Sequence, residues 1–217
     1  MSRPRACGDD CLSIEIAKSS KRASVAQYLR ETGAWLECVE GMRSVVVKFD
    51  AATVDGRAAE SLLRNQLLSA PMGKRKELSA IEIPVCYGGE HGPEFDSICE
   101  ILGITGNELV EIHTSRRHRV KLIGFTPGFA YVSGLNDDLN VPGLSEPRQR
   151  VEAGSIGVAA GLTGMYSLAG PGGWPLVGRT PLALFSADDE QPFLLRTGMV
   201  IRFVSIDDKT YRRMLAP

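Results

Sequence analysis

A chain of 217 residues, 43% hydrophobic and 24% charged, has the composition of an ordinary globular protein of one or two domains. A formal net charge of -1 gives no reason to expect nucleic acid or an anionic membrane as partner. No stretch approaches the ~20 consecutive apolar residues of a membrane span. The first residues carry no apolar signal segment, and five irregularly spaced cysteines fit free thiols, so a cytoplasmic protein is expected.

In chain order, CLSIEIA (residues 11–17) alternates like a half-buried strand. Ser24 can cap a short helix over residues 25–32 that stops at Gly33. Residues 34–50 read as a hairpin turning at Glu40-Gly41, and residues 56–69 carry Ala59, Leu62, Leu63 and Leu67 at helical spacing. AIEIPVCY (80–87) closes this half as a strand. The order βαββαβ is the ferredoxin-like plan, which gives an α+β N-terminal domain over residues 1–82. The punctuation then changes: residues 1–82 hold five glycines and two prolines, residues 83–217 eighteen and ten. Residues 69–79 are the natural hinge before that change.

Helices are expected over 92–103 and 105–115, the second opened by Thr105 and Glu108 as a capping box. From His118 onward short apolar runs are separated by Gly/Pro turns: SIGVAA (155–160), MYSLA (165–169), PLALF (181–185), FLLR (193–196) and MVIRFV (199–204). Many short strands at close spacing point to a small closed barrel or sandwich over residues 83–217.

Eight glycines fall between Gly154 and Gly178, so the backbone there either bends sharply or is approached closely. Gly173–Thr180 comes near the phosphate loop G-x-x-x-x-G-K-[ST], with Arg179 for Lys. That loop needs a helix directly after it, and Pro181 followed by the strand-like LALF excludes one. No G-x-S-x-G elbow, H-E-x-x-H or dinucleotide fingerprint occurs. Cys7 and Cys11 could form half a metal site, but no second Cys/His pair follows at usable spacing, so no metal is expected. The basic runs Lys74–Lys76 and Ser115–Lys121 read as solvated turns or strand edges. His113 falls near the C-terminal end of its helix, where the dipole favours an imidazolium; capping and acid–base roles both stay open. Trp174, Phe125, Phe129 and Tyr131 hold aromatics on Pro/Gly turns, which suits either a binding surface or plugs for the barrel ends. Arg148 and Arg179 are the nearest cations in sequence, each able to meet a carboxylate or to serve in a surface ion pair.

Three segments together resemble the family of the 5-oxoprolinase B subunit. They are IPVCYGGEHGPEF, EIHTSRRHRVKLIGFTPGFAYVSGL and EPRQRVEAGSIGVAAGLTGMYSLAGPGGWPLVGRTPLALF, and the resemblance as a whole covers Ile83 to about Val204. Relatives include the Kip-type inhibitor of a sporulation histidine kinase and the protein once called the first allophanate hydrolase subunit. The resemblance implies a cyclophilin-like β-barrel over 83–217 and a chain that works within a complex. It implies a partner C subunit, itself cyclophilin-like, and a separate ATP-binding A subunit that takes ATP and magnesium and activates 5-oxoproline; no cofactor is expected on this chain. A small amide substrate would then be opened to glutamate. The resemblance equally admits an inhibitor that docks on a histidine kinase, or a carboxyltransferase-type component of urea or allophanate metabolism.

Carried over by motif, His113 matches the I-H before G-F-x-P-G-F, Phe125, Pro127, Gly128 and Phe129 match that segment, and Tyr131 is the last residue of P-G-F-x-Y. Arg148 matches T-P-R; Thr163, Gly164 and Tyr166 match Q-T-G-V-Y; Pro171, Gly172, Gly173 and Trp174 match S-P-G-G-W. The resemblance implies Arg148 for a substrate carboxylate, His113 for proton transfer or loop positioning, and Thr163 and Trp174 in the wall. The chain departs from the family pattern at Leu162, usually Gln, at Glu152, usually Pro, and at His118, Lys121 and Glu146.

Overall fold

Alternating burial builds the first unit. Strands β2 (Cys11–Glu15) and β4 (Ser44–Lys48) turn Leu12, Ile14, Val45 and Val47 to one face, and each of these side chains is buried. With β1 (Arg5–Ala6) and β3 (Glu37–Glu40) they form an antiparallel sheet of order β1-β2-β4-β3. The computed structural model describes residues 3–70, 80–136 and 139–215; most of the expected hinge and the run Lys74–Lys76 lie outside them. Helices α1 (Ser19–Glu31) and α2 (Gly56–Ser69) complete this core with Val25, Leu29, Ala59 and Leu63. α2 starts where Asp55 accepts the backbone N–H groups of Arg57 and Ala58. α1 starts before Ser24, whose hydroxyl donates back to the Ser20 carbonyl at 3.1 Å instead of capping. The extra turn is anchored by buried Arg22, which donates to the Ile16 carbonyl at 3.0 Å.

The strand expected to close this unit joins the barrel instead, so the first unit is not ferredoxin-like. β5 (Ile81–Tyr87) lies between β12 (Leu176–Arg179) and β13 (Val200–Ile206), pairing in parallel with β13 from Ile81↔Ile201 to Cys86↔Ile206. Ile83 and Val85 are wholly buried in the barrel core. A short apolar run records that a strand is buried and leaves its neighbours unspecified. By its internal contacts the chain divides into Met1–Lys76 and Glu77–Pro217.

In the second unit, α3 (Phe95–Leu102) ends at Gly103 in the left-handed conformation, and α4 (Gly106–Thr114) follows. Both halves of the capping box form: the Glu108 N–H donates to Thr105 Oγ1 at 3.3 Å and the Thr105 N–H to Glu108 Oε2 at 2.7 Å. Strands β6 (His118–Ile123), β7 (Ala130–Ser133), β9 (Ser155–Ala159) and β10 (Leu162–Met165) close the barrel in the order β10-β7-β6-β13-β5-β12-β9. β8 (Arg148–Val151) and β11 (Gly170–Gly172) form a separate two-stranded ribbon. The runs PLALF and FLLR, each flanked by proline, give only the isolated bridge Phe185–Phe193, and MYSLA leaves its strand at Met165. Helix α5 (Asp208–Leu215), not expected from the sequence, ends the described chain. Among the described residues no helix is long and apolar enough to cross a membrane.

Candidate functional site

Strand alternation places Val132, Met165, Ile156, Val158 and Val177 in the barrel core, so Tyr131, Gly164, Gly157 and Leu176 face the other way. These four form one cross-strand row: Tyr131 opposite Gly164, Gly164 opposite Gly157, Gly157 opposite Leu176. Two adjacent glycines leave a trough, and the rings of Phe129 and Trp174 fill it. A methyl on Gly164 would stand 2.9 Å from Phe129 Cζ and 2.9 Å from Trp174 Cε3; one on Gly157 would stand 2.9 Å from Trp174 Cβ. The glycine density noted in the sequence therefore makes room for rings.

Phe129 is the hub of the cluster. Its centroid lies 5.4 Å from Phe125, 4.8 Å from Tyr131, 5.0 Å from Tyr166 and 6.3 Å from Trp174, all edge-to-face. The Tyr166 hydroxyl lies over Gly172, where a Cβ would come within 2.5 Å, and accepts the Trp174 backbone N–H. Burial raises the Tyr166 phenol above its ordinary value, partly offset by that N–H. The aromatics thus converge on the outer face of the barrel, and do not plug its ends. Phe129 and Tyr166 are buried, Tyr131 and Trp174 are half-buried, and Phe125, Pro127 and Pro171 are exposed at the rim. Phe125 is 63% exposed and holds φ 80, a left-handed conformation that costs a non-glycine residue about 1–3 kcal/mol. Its loop is pinned by the Ser167 hydroxyl donating to the Pro127 carbonyl at 2.5 Å. Gly128, at φ 78, meets the same side chain: an added Cβ would lie 3.1 Å from Ser167 Cβ.

Arg148 stands opposite Gly172 in the ribbon and pairs with Glu94. The second Glu94 oxygen accepts the Leu176 backbone N–H at 2.8 Å, so the carboxylate is fixed to the barrel. The Arg148 side chain is 30% exposed. A guanidinium carries five N–H donors, more than Glu94 engages, so a carboxylate ligand can share it.

His113 occupies the other side of the sheet. Its ring is wholly buried, stacked on Phe203 at 4.3 Å, with Nδ1 2.6 Å from the Tyr87 hydroxyl and Nε2 3.0 Å from Thr163 Oγ1. Burial, reinforced by His118, pushes its pKa down to about 3, so it is neutral at ordinary pH. Thr163 and Gly164 are neighbours on β10 facing opposite ways: the first takes the His113 hydrogen bond, the second floors the rings. Both ring nitrogens are thus engaged inside the core, away from the outer aromatic face. His118, also buried, donates from Nε2 to the His113 carbonyl at 2.8 Å and extends the same network.

The remaining expected residues fall into place around this frame. Gly173 packs on Pro147, and Arg179 donates to the Ala153 carbonyl at 2.8 Å in a strand, where no helix follows to make a phosphate site. Leu162 is half-buried at the start of β10, and exposed Glu152 pairs with Arg150 at 2.7 Å. Sequence reading missed Glu94, an acidic residue before a helix that looks like an N-terminal charge, and Gly157, whose role appears only in the cross-strand row. Cys7 is exposed and Cys11 half-buried, with the Cys7 N–H donating to the Cys11 carbonyl at 2.9 Å across a tight turn. Among the described residues, one group of at least three metal-ligating side chains comes together: Cys86, His91 and Asp208.

Comparison with known proteins gives this arrangement a family. The family model described as carboxyltransferase domain, subdomain C and D, matches residues 2–195. The chain is 34% identical over 200 residues to the 5-oxoprolinase B subunit of Bacillus subtilis, covering 87% of this chain and 83% of that protein. It is 37% identical over 194 residues to the 5-oxoprolinase B subunit of Escherichia coli O157:H7, covering 88% and 87%. The crystal structure of TTHA0988 superposes with a TM-score of 0.81 at 27% identity, over 91% of this chain and 40% of that longer one. Urea carboxylase of Kluyveromyces lactis shares the fold, with a TM-score of 0.76 at 17% identity, over 97% of this chain and 22% of that one. Matched over nearly its whole length, this chain belongs to the carboxyltransferase subdomain C and D family, within the group of 5-oxoprolinase B subunits.

Proposed function

We propose that this chain is the B subunit of an ATP-dependent 5-oxoprolinase, opening 5-oxo-L-proline to L-glutamate together with a C subunit and an ATP-binding A subunit. The observation that carries the reading is the match to proteins of that name at 34% and 37% identity across almost the entire chain. ATP and magnesium belong to the A subunit in this account, and no cofactor is assigned to this chain.

The chemistry of the outer barrel face suits the part. The aromatic rim and Arg148 offer an apolar wall beside a cation, which fits a small cyclic amide bearing a carboxylate. Arg148 takes the carboxylate, sharing its guanidinium with Glu94. Trp174 and Tyr131 line the wall, and His113 holds β10 through Thr163. Exposed Phe125, Pro127 and Pro171 are the partner-facing rim on which the C subunit closes. A bacterium lacking its own B subunit, supplied with this chain, should regain growth on 5-oxoproline as nitrogen source; failure with a well-expressed chain contradicts the reading.

The family model and the urea carboxylase fold favour one second reading, a carboxyltransferase component working with a biotin carrier. Dependence of turnover on bicarbonate and a biotinylated partner would select it over the first.

A further inference from the structure

We infer that Cys86, His91 and Asp208 form a binding site for a transition-metal dication of the zinc class. Parallel pairing of β5 and β13 brings the two strands to a common end, with Cys86 beside Ile206. After β5, the chain passes Gly88 and Gly89, both at positive φ, into the turn Gly89–His91, which is locked by the His91 N–H donating to the Gly88 carbonyl at 3.1 Å. After β13, α5 begins at Asp208. Topology therefore delivers three ligands from three separate elements to one point.

The three ligand atoms lie close enough together to share one ion. The ligand atoms all lie within 4.8 Å of one another, and His91 Nε2 is 3.1 Å from Asp208 Oδ1. Zinc–sulfur and zinc–nitrogen bonds of about 2.3 and 2.0 Å put tetrahedral ligands roughly 3.3–3.6 Å apart, close to the 3.1 Å between His91 and Asp208, and the Cys86 thiol lies within 4.8 Å of both. Cys86 is 6% exposed, and its thiol has no hydrogen-bond partner among the described residues. His91 is braced by Tyr211 at 4.2 Å between ring centroids. Arg212 Nε holds the other Asp208 oxygen at 2.8 Å, which leaves Oδ1 facing the imidazole. That guanidinium stands where an outer partner of a ligating carboxylate stands.

Ligand type narrows the ion. A thiolate and an imidazole beside one carboxylate disfavour calcium and magnesium, which take oxygen sets, and suit zinc. Glu90 Oε1, 3.8 Å from His91 Nε2, or water takes the fourth position. Binding breaks the S–H bond of Cys86 and sends its proton to solvent, while the imidazole proton moves to Nδ1 so that the Nε2 lone pair meets the metal. The bound ion then ties the start of α5 to the end of β5.

The test is titration of the full-length, metal-stripped chain with cobalt(II), followed by thiolate-to-cobalt charge-transfer absorption and by zinc competition. One equivalent should produce the band in the wild type and in the Cys7→Ser/Cys11→Ser double variant, and Cys86→Ser should abolish it. His91→Gln and Asp208→Asn should each weaken binding about tenfold or more, a loss that even outer partners of a metal ligand command. Circular dichroism checks that each variant is folded. If Cys86→Ser does not fold, the other two variants decide, and unchanged affinity in both overturns the site. A band that is absent, that survives Cys86→Ser, or that disappears with Cys7 and Cys11 also overturns it.

Discussion

Replacing Gly164 by alanine tests the glycine floor directly. The new methyl would lie 2.9 Å from Phe129 Cζ, 2.9 Å from Trp174 Cε3 and 3.0 Å from Trp174 Cζ3, about 1 Å inside comfortable contact with two rings at once. Neither ring is a flexible chain end: Phe129 is 2% exposed and wedged among four other aromatics. The expected cost is that of overpacking, about 1–3 kcal/mol. For a chain of this size that lowers the melting temperature by about 2–4 °C per kcal/mol. Gly170→Ala is the matched control, because an added Cβ there meets nothing within 4 Å and its φ is not positive. It should change stability by less than about 0.5 kcal/mol. Urea unfolding followed by Trp174 fluorescence in a Trp35→Phe background reads the barrel unit without the first unit's tryptophan. Equal midpoints for Gly164→Ala and Gly170→Ala would refute the claim that glycine is there to seat the rings.

Thr163→Val should cost about 1–3 kcal/mol by leaving His113 Nε2 unpartnered in the core, whereas Thr163→Ser should restore most of it; urea midpoints compare the two. Buried His113 is neutral in the fold, with a pKa of about 3, while the unfolded chain takes up its proton near the ordinary value of 6.5. Stability from this group is therefore complete above about pH 6.5 and falls toward pH 3, by about 1.4 kcal/mol per pH unit. Thermal melts between pH 7 and 4 should show that slope flattened in His113→Gln, and parallel curves for the two proteins would contradict it. Arg148→Ala should raise the KM for 5-oxoproline about tenfold or more in the assembled enzyme, the worth of a charge-assisted hydrogen bond, with a smaller change in kcat. Steady-state kinetics with an unchanged KM would remove the carboxylate role.

What the sequence disclosed and what it withheld follow from the range of the interactions. Caps and turns are local, so the Thr105–Glu108 box and the β3–β4 hairpin around Gly41 were readable directly. Ser24 misled for the same reason: its own neighbourhood allows a cap, but Arg22, bound to Ile16, draws the helix further back. The membership of β5 is decided by β12 and β13, both distant in sequence, which no local periodicity encodes. The aromatic cluster was legible as a set because Phe125, Phe129, Tyr131 and Trp174 share one chemistry and one style of turn. Its floor was not, since the Gly157–Gly164 pairing exists only across strands. Glu94 and the group at Cys86 escaped notice because each residue has an ordinary surface or core explanation until the fold assembles its neighbours.

The central claim is that this chain is an indispensable part of a 5-oxoprolinase. The most direct measurement is glutamate formation from 5-oxoproline and ATP by this chain combined with the purified A and C subunits of the proposed complex, against the same mixture without it. The account predicts glutamate only when the chain is present. Equal glutamate without it, or none from a complex that assembles fully, would contradict the account.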